Sequence, residues 1–234
     1  MKTTPLTLAF DVYGTLVNPA GMSSHLTLDV GAHATAFAAL WREKQIEYSF
    51  RRGLMRRYVD FSVCTAEALE FTVRSFAVVI SKQRQEELLR LYQHLEPYPD
   101  AVSALPLLAT RFRLFAFSNG TRAAVEAVLR HAGLREYFED IVSVDDVKTF
   151  KPDPLVYAHA RRATGAGDSA FALVSANAFD VIGARSAGLD AYWIRRSTDK
   201  IFDPWEIEPT ATASSLLELV ERLEQSPPLP SRRS

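Results

Sequence analysis

Asp11 stands directly after a short apolar run, Leu6 to Phe10, and Gly14 and Thr15 follow it closely. The run is too short for a helix and apolar enough for a buried strand. Open α/β sheets bind ligands at the carboxyl ends of their strands, and a carboxylate can serve there as a nucleophile. Asp before Gly-Thr is also a common turn composition. Taken alone, Asp11 is therefore either a catalytic group or a turn residue.

Polar clusters stand near the ends of other predicted strands. Their members are Ser118 and Asn119, then Lys151 just before a predicted helix, then Ser175, Asn177 and Asp180. Because the carboxyl ends of parallel strands meet at one edge of a sheet, we expect these side chains to lie near Asp11. Four converging clusters are harder to explain as helix caps, although Asp180 could also cap the helix that follows it.

The elements that would position these clusters alternate between strand and helix after residue 100. We predict strands at 113–117, 141–143, 171–175 and 191–194, and helices at 101–109, 121–131, 155–164, 180–187 and 216–223. Alternation of this kind predicts an α/β fold, a Rossmann-like doubly wound parallel sheet with helices on both faces.

Residues 31–95 read as helices without an intervening strand, with Thr65 and Ser81 as predicted N-caps. We therefore predict a small helical cap domain inserted into the core, with a crevice between the two that suits a ligand. The expected division is a discontinuous core at 1–16 and 98–225, a cap at 17–97, and a flexible C-terminal tail at 226–234.

Composition excludes several classes of function. The chain has 234 residues with 27 basic and 28 acidic side chains, and its net charge of −1 does not favour binding to nucleic acid or a membrane surface. No apolar stretch reaches the roughly 18 residues of a membrane span, and no N-terminal signal stands out. One cysteine, Cys64, excludes an internal disulfide and fits a reducing, cytoplasmic location. The histidines and Cys64 show no metal-ligand spacing, so we predict no metal and no cofactor.

The polar clusters together resemble the four motifs of the haloacid dehalogenase superfamily, in order. The matching segments are Asp11-Val-Tyr-Gly-Thr15, Ser118-Asn-Gly120, Lys151-Pro-Asp153 and Ser175-Ala-Asn-Ala-Phe-Asp180. The last has the form seen in the type II L-2-haloacid dehalogenases. Within the predicted cap, Trp41 to Tyr48 resembles the segment that supplies the active-site arginine of those enzymes, which is Arg42 here.

Tyr13 separates this chain from the phosphatases of the superfamily. Those enzymes usually carry a second Asp two positions after the first, where it acts as a general acid beside magnesium. Tyrosine cannot replace a carboxylic acid of low pKa in that role. The first motif therefore indicates the dehalogenase branch.

The resemblance implies hydrolysis of short L-2-haloacids to D-2-hydroxyacids by a homodimer, without metal, through an ester on Asp11. Asp11 would displace the halide while Thr15 orients it and the Lys151 ammonium keeps it ionised. Asp180 would then activate the water that hydrolyses the ester, with Ser175, Asn177 and Lys151 around it.

The resemblance also implies how the substrate is held. Arg42 and the Asn119 amide would meet the halide, and the groups around Ser118 would bind the substrate carboxylate. Tyr157 matches a site tyrosine of the family, and an apolar pocket would be lined by Tyr13, Ile46, Phe61 and Phe179. Two residues also have purely structural interpretations. Arg42 could pair with Glu43 or Glu47 along its helix, and Tyr157 could pack in the core.

Two residues depart from the family pattern and keep other functions open. Phe179 stands where these dehalogenases commonly have tryptophan, which affects the shape of the pocket. Glu43 stands where they commonly have glutamine, and a carboxylate facing the pocket would repel an anionic substrate by roughly 4 kcal/mol at 4 Å. The alternatives are a phosphatase of the same superfamily and a protein that binds small acids after losing catalysis.

Overall fold

The core of the molecule is one sheet of six parallel strands, in the order β3-β2-β1-β4-β5-β6. The computed structural model describes residues 6–167 and 170–225. The strands are β1 (Thr7–Phe10), β2 (Arg113–Ser118), β3 (Asp140–Ser143), β4 (Phe171–Ser175), β5 (Asp190–Ile194) and β6 (Ala211–Ala213). The central strand, β1, pairs with β2 on one side and with β4 on the other. The chain reverses its direction of winding between β1 and β4, which is where a doubly wound sheet opens a crevice.

Helices connect and cover the strands. They are α1 (Met22–Val30), α2 (Ala34–Leu54), α3 (Phe61–Ser75), α4 (Lys82–Leu91), α5 (Pro99–Ala109), α6 (Arg122–His131), α7 (Pro154–Ala163), α8 (Ala178–Ser186) and α9 (Leu216–Gln225). The first four lie between β1 and β2 in the chain and form the helical insertion. The remaining five alternate with the strands, as the pattern of the sequence predicted.

Alternate residues of the central strand face two separate hydrophobic clusters. Leu8 and Phe10 of β1 belong to one cluster, and Ala9 between them belongs to the other. Side chains in a strand point to opposite faces in turn, so both faces of the sheet are buried. This explains why the strands read as continuous apolar runs, and it leaves the strand ends as the exposed edge for chemistry.

The helical insertion leaves the core and returns to it at one place. The Asn18 amide donates to the Glu96 carbonyl at 2.9 Å, and the Tyr98 amide donates to the Leu16 carbonyl, also at 2.9 Å. Val17 forms an isolated antiparallel bridge with Pro97 between these two bonds. The chain thus leaves the core and returns to it through the paired segments 16–18 and 96–98, and we propose 17–97 as the cap domain.

Several local predictions were wrong. Thr65 is not an N-cap: α3 begins earlier, and the Asp60 carboxylate accepts from the Ser62 amide at its first turn. Asp180 lies inside the first turn of α8, while Asn177 occupies the N-cap position. The prediction missed α1 and β6. Ser81, by contrast, caps α4 through the Arg84 amide, as predicted.

Two further expectations concern the C-terminal tail and the absence of a membrane-spanning segment. The predicted tail at 226–234 lies outside the described residues. Within 6–167 and 170–225, no helix has both the length and the apolar character that crossing a bilayer requires.

Candidate active site

Asp11 lies at the carboxyl end of β1, 7% exposed, with three side chains donating to its carboxylate. Thr15 Oγ1 and Asn177 Nδ2 each donate to Oδ2 at 2.8 Å, and Lys151 Nζ donates to Oδ1 at 3.2 Å. Thr15 is itself fixed, because its hydroxyl also accepts from the Ala176 amide at 2.8 Å. The carboxylate is therefore oriented by groups from three separate strand ends.

Lys151 places a positive charge between two carboxylates. Its side chain is 1% exposed, and Nζ lies 2.9 Å from Asp180 Oδ2 as well as 3.2 Å from Asp11 Oδ1. The ammonium also donates to the Phe117 carbonyl at 2.9 Å and lies 4.0 Å from the centre of the Phe117 ring. All three ammonium protons have acceptors, so a cation buried this deeply is compensated.

Asp180 is completely buried on α8. Its Oδ1 accepts from the Tyr157 hydroxyl at 2.9 Å, and its Oδ2 accepts from Lys151. Burial raises the pKa of this carboxyl above its ordinary value, and the negative charge of Asp11 adds to the rise, while the Lys151 ammonium opposes both. Burial and the neighbouring Asp180 carboxylate also raise the pKa of Tyr157, so its hydroxyl stays protonated and donates.

Gly183 allows Tyr157 of α7 to approach α8 closely enough to reach Asp180. A Cβ at position 183 would collide with the Tyr157 hydroxyl and ring and with Pro152. Glycine in a helix interior costs about 1 kcal/mol relative to alanine. Here Tyr157 occupies the space that a side chain at position 183 would fill.

Ser118, Asn119 and Ser175 border Asp11 and are also buried. Asn119 Oδ1 accepts from the Lys151 amide at 3.0 Å, which directs its Nδ2 group elsewhere. Ser118 Oγ accepts from the Gly120 amide at 3.1 Å, and Ser175 Oγ accepts from the Asn177 amide at 3.1 Å. Each serine therefore keeps its hydroxyl proton available for an anionic oxygen.

Arg42 reaches from α2 to the loop that follows Asp11. It donates to the Tyr13 carbonyl at 3.3 Å and to Gln45 Oε1 at 3.2 Å. Among the described residues it forms no ion pair with Glu43 or Glu47; Glu47 instead pairs with Lys44 and Arg51. The carboxylate-pairing alternative for Arg42 is therefore wrong. Glu43 is exposed, so a repulsive carboxylate does not enter the site.

The four predicted pocket residues do not all meet. Tyr13 and Phe61 line one cavity together. Ile46 packs on the hydrophobic cluster to which Phe61 belongs. Phe179 packs edge-on against Phe50 of α2, with ring centres 5.0 Å apart, and does not line that cavity.

Two residues near the site were missed by sequence reasoning. Gln45 is fully buried and holds the Arg42 guanidinium. Arg196, in the loop after β5, donates to the Thr15 carbonyl and pairs with Asp100 at 2.5 Å. Helical spacing placed Gln45 on the Arg42 side of α2, which was a usable signal; no pattern in the irregular loop indicates Arg196.

The residues present do not form a cluster of metal ligands. In the part of the chain that the structure describes, no group of three or more His, Cys, Asp or Glu side chains is arranged to hold a metal ion. The position between the Asp11 and Asp180 carboxylates is taken by the Lys151 ammonium.

With this geometry established, the chain can be compared with known proteins. Residues 6–188 match the family model of the haloacid dehalogenase-like hydrolases. The chain belongs to this family. Among its haloacid dehalogenase-like relatives, an (S)-2-haloacid dehalogenase of Pseudomonas sp. (strain YL) is 37% identical over 93% of this chain and 94% of the relative. Haloacetate dehalogenase H-2 of Moraxella sp. (strain B) is 33% identical over 81% of this chain and 85% of the relative.

Solved structures of the family share the same architecture. An L-2-haloacid dehalogenase from Xanthobacter autotrophicus, with chloropropionic acid covalently bound, superposes with a TM-score of 0.88 at 27% identity. The alignment covers 96% of this chain and 100% of the other. The predicted α/β fold with an inserted helical cap is confirmed by this agreement.

Proposed function

We propose that this protein hydrolyses the carbon–halide bond of short L-2-haloacids, releasing halide and a D-2-hydroxyacid through an ester on Asp11, without a metal ion. The observation that carries the proposal is the Asp11 carboxylate held by Thr15, Asn177 and Lys151, with Asp180 across the same ammonium. The names of the relatives, which are dehalogenases of (S)-2-haloacids and haloacetate, support the substrate class.

In the first step, Asp11 attacks carbon 2 of the haloacid from the side opposite the halide. Oδ1 accepts one hydrogen bond and Oδ2 accepts two, so Oδ1 has more electron density free for attack. The carbon–oxygen bond forms as the carbon–halide bond breaks, the halide leaves with the bonding electrons, and carbon 2 inverts. The Lys151 ammonium, 3.2 Å from Oδ1, offsets part of the negative charge of the nucleophile.

Two anions must be held during this step. The Asn119 Nδ2 group and the Arg42 guanidinium supply donors for the departing halide. The hydroxyl protons of Ser118 and Ser175 are free to meet the substrate carboxylate and the oxygens of the ester. Ser118 also lies just before the amino end of α6, where unpaired amides favour negative charge.

In the second step, water attacks the Cγ carbon of the Asp11 ester. Asp180 takes one proton from that water, and its raised pKa makes it a stronger base than an ordinary carboxylate. The ester bond to Asp11 then breaks, and the second proton of the water passes to the leaving alkoxide oxygen. The hydroxyacid therefore leaves with the original carboxylate oxygen, and Asp11 keeps the oxygen of the water. The net reaction consumes one water and releases one halide and one proton.

Neither rival function has an observation in its favour. The phosphatase reading lacks a carboxylate at position 13, where Tyr13 stands, and the Lys151 ammonium occupies the position between the two aspartates. The reading as a retired binding protein depended on Glu43 opposing the substrate, and Glu43 points to solvent.

The deciding experiment is halide release from L- and D-2-chloropropionate and from monochloroacetate, in the presence of EDTA. We expect release from the L acid and from monochloroacetate only. Asp11→Asn keeps the shape of the side chain and removes the nucleophile, so halide release should fall by at least about a thousandfold. Equal turnover by the variant, or release that EDTA abolishes, would refute the proposed mechanism.

We also propose a cytoplasmic homodimer. Leu54 and Met55 at the end of α2 are 88% and 61% exposed, and Phe71 of α3 is 38% exposed, which is costly for a solvent-facing surface. Light scattering after size exclusion should give twice the chain mass; a monomer across the micromolar range would contradict this.

A further inference from the structure

Each member of the Lys151–Asp180 ion pair follows a phenylalanine in the chain, and the helical insertion contacts both phenylalanines. Phe150 precedes Lys151, and Phe179 precedes Asp180. Phe179 packs edge-on against Phe50 of α2, with ring centres 5.0 Å apart. The insertion therefore reaches the ion pair through the residues directly before its two members.

Phe150 is held by two aromatic rings of the insertion. It is 2% exposed. The Tyr58 ring, in the segment between α2 and α3, has its centre 4.8 Å from that of Phe150 at an interplanar angle of 32°. The Phe61 ring, at the start of α3, lies 6.2 Å away at 63°. Aromatic pairs have preferred geometries, so these two contacts restrict where the backbone just before Lys151 can lie.

The Tyr58 hydroxyl fixes this contact to the core. It donates to Asp145 Oδ1 at 2.8 Å, and Lys148 Nζ donates to the same oxygen at 2.7 Å. Both hydrogen bonds lower the pKa of Asp145, that from Lys148 more strongly, so the carboxylate is ionised at neutral pH. Burial and the bond to Asp145 raise the pKa of Tyr58, so its hydroxyl stays protonated. A hydrogen bond to an ionised acceptor is stronger than one between neutral groups.

The charge balance at Asp180 depends on how close the Lys151 ammonium stays. Nζ lies 2.9 Å from Asp180 Oδ2 and 3.2 Å from Asp11 Oδ1. The titratable groups that face Asp180 are Lys151, Asp11 and Tyr157. The ammonium supplies the positive charge among them, and its attraction for a carboxylate weakens with distance. A shift of the backbone at Phe150 that moves the ammonium away therefore raises the pKa of Asp180.

We propose that Tyr58 is a positioning residue, which keeps the Lys151 ammonium against Asp180 through Phe150 and so couples the placement of the helical insertion to the proposed base. Its effect on turnover rests on the dehalogenase function. Its effect on the Asp180 carboxyl does not depend on any reaction. Tyr58 acts through Phe150 and is not itself a catalytic residue.

The test follows the Asp180 carboxyl by 13C NMR as pH is varied, with its resonance assigned from Asp180→Asn. Tyr58→Phe keeps the ring and removes the hydroxyl, so the titration midpoint should move to higher pH by at least about 0.5. With L-2-chloropropionate, kcat should fall about threefold to tenfold, its acid limb should move the same way, and KM should stay within about twofold. Asp145→Ala should have the same effects, and the double variant should add little to either single one.

Tyr98→Phe is the matched control. The Tyr98 hydroxyl donates to Asn18 Oδ1 at 3.1 Å, where the insertion joins the core. The control should leave the midpoint within about 0.2 of wild type and kcat within about twofold. The proposal is overturned if Tyr58→Phe leaves the midpoint unchanged, or if Tyr98→Phe moves it equally. If wild type releases no halide, the dehalogenase function fails and the NMR titration alone decides: a shift in Tyr58→Phe beyond that in Tyr98→Phe supports the positioning role, and its absence overturns it.

Discussion

At the scale of single residues, one ammonium group serves two carboxylates that have different surroundings. Asp11 lies at the end of β1, and its carboxylate accepts short hydrogen bonds from the Thr15 hydroxyl and the Asn177 amide. Asp180 is wholly enclosed, and burial raises its pKa. The proposed nucleophile and the proposed base are thus both buried but differ in their hydrogen-bond donors.

Asp180→Asn separates the two proposed steps. Because the variant keeps Asp11 but cannot take a proton from water, we expect one equivalent of halide per active site and then no further release. Intact-mass measurement after mixing with L-2-chloropropionate should show the added acyl group. Asp11→Asn should show neither the burst nor the adduct. Sustained turnover by Asp180→Asn would contradict the assignment of the base.

The raised pKa of Asp180 also predicts the pH dependence of the reaction. The carboxyl must be ionised to accept a proton, so activity is present above its raised pKa and is lost as pH falls through it. The acid limb of the kcat profile should therefore lie above the ordinary range for aspartate, which is near 3.9. A limb at or below that value would show that another group controls hydrolysis.

The residues of three of the four motifs could be predicted because they stand at strand ends, where apolar runs stop abruptly, whereas Lys151 stands just before α7. Gln45 and Arg196 could not be assigned roles in the same way. Their partners are the guanidinium of Arg42 and the carbonyl of Thr15, and which side chain reaches those atoms depends on how helices and loops pack. Tertiary contacts of this kind leave no periodic pattern in the sequence from which they could be predicted.

At the scale of elements, the contact between α7 and α8 determines where Asp180 points. Tyr157 crosses from α7 over Gly183 and donates to both the side chain and the carbonyl of Asp180, at 2.9 Å and 3.1 Å. Any side chain at position 183 must move that tyrosine. The packing of α7 against α8 therefore fixes the orientation of the Asp180 carboxylate.

Gly183→Ala should destabilise the protein and impair ester hydrolysis. Alanine favours a helix by about 1 kcal/mol, but forcing a methyl group into a filled core costs about 1–3 kcal/mol. We expect a net loss of stability in urea unfolding and a lower kcat. Gly21→Ala is the matched control, since a Cβ there meets nothing within 4 Å. A variant at position 183 as stable and active as wild type would contradict the argument.

Elements with strong apolar runs were predicted correctly, and weak ones were missed for identifiable reasons. The strand β6 has three residues, of which only Ala213 is buried, so it carries no periodic signal. In α1 the buried residues Met22, Leu26 and Val30 do recur at helical spacing, but Pro19 and Gly21 directly before them indicated a turn. The α3 boundary was placed too late because Thr65, which bonds back to the Phe61 carbonyl, resembles a cap.

At the scale of the whole molecule, Arg196 joins parts that are distant in sequence. It pairs with Asp100 at the start of α5, donates to the Thr15 carbonyl, and stacks 4.1 Å from the Tyr98 ring centre. Asp100 also accepts from the Leu216 amide at the start of α9, at 2.7 Å. The pair is mostly buried, with side chains 9% and 14% exposed. Such a pair is strongly destabilising to break.

Arg196→Met and Asp100→Asn should each destabilise the fold by about 3 kcal/mol. The double variant should cost less than the sum of the two, because the second change removes a partner already lost. Urea unfolding of all three proteins measures this coupling. The same cycle on Arg122 and Asp140, which are 54% and 48% exposed, should give at most about 1 kcal/mol. Additive losses at Arg196 and Asp100 would contradict the network.

The neighbouring hydrogen bonds Asn18–Glu96 and Leu16–Tyr98 have a consequence for how this protein can evolve. A stretch of chain whose two ends lie side by side can be exchanged within a gene while the rest of the protein still folds. The residues proposed to react with carbon and with water, Asp11 and Asp180, are encoded outside that stretch, whereas Arg42 and Gln45 are encoded within it. Substitutions within that stretch can therefore change Arg42 and Gln45 and leave the residues of the proposed chemistry unchanged.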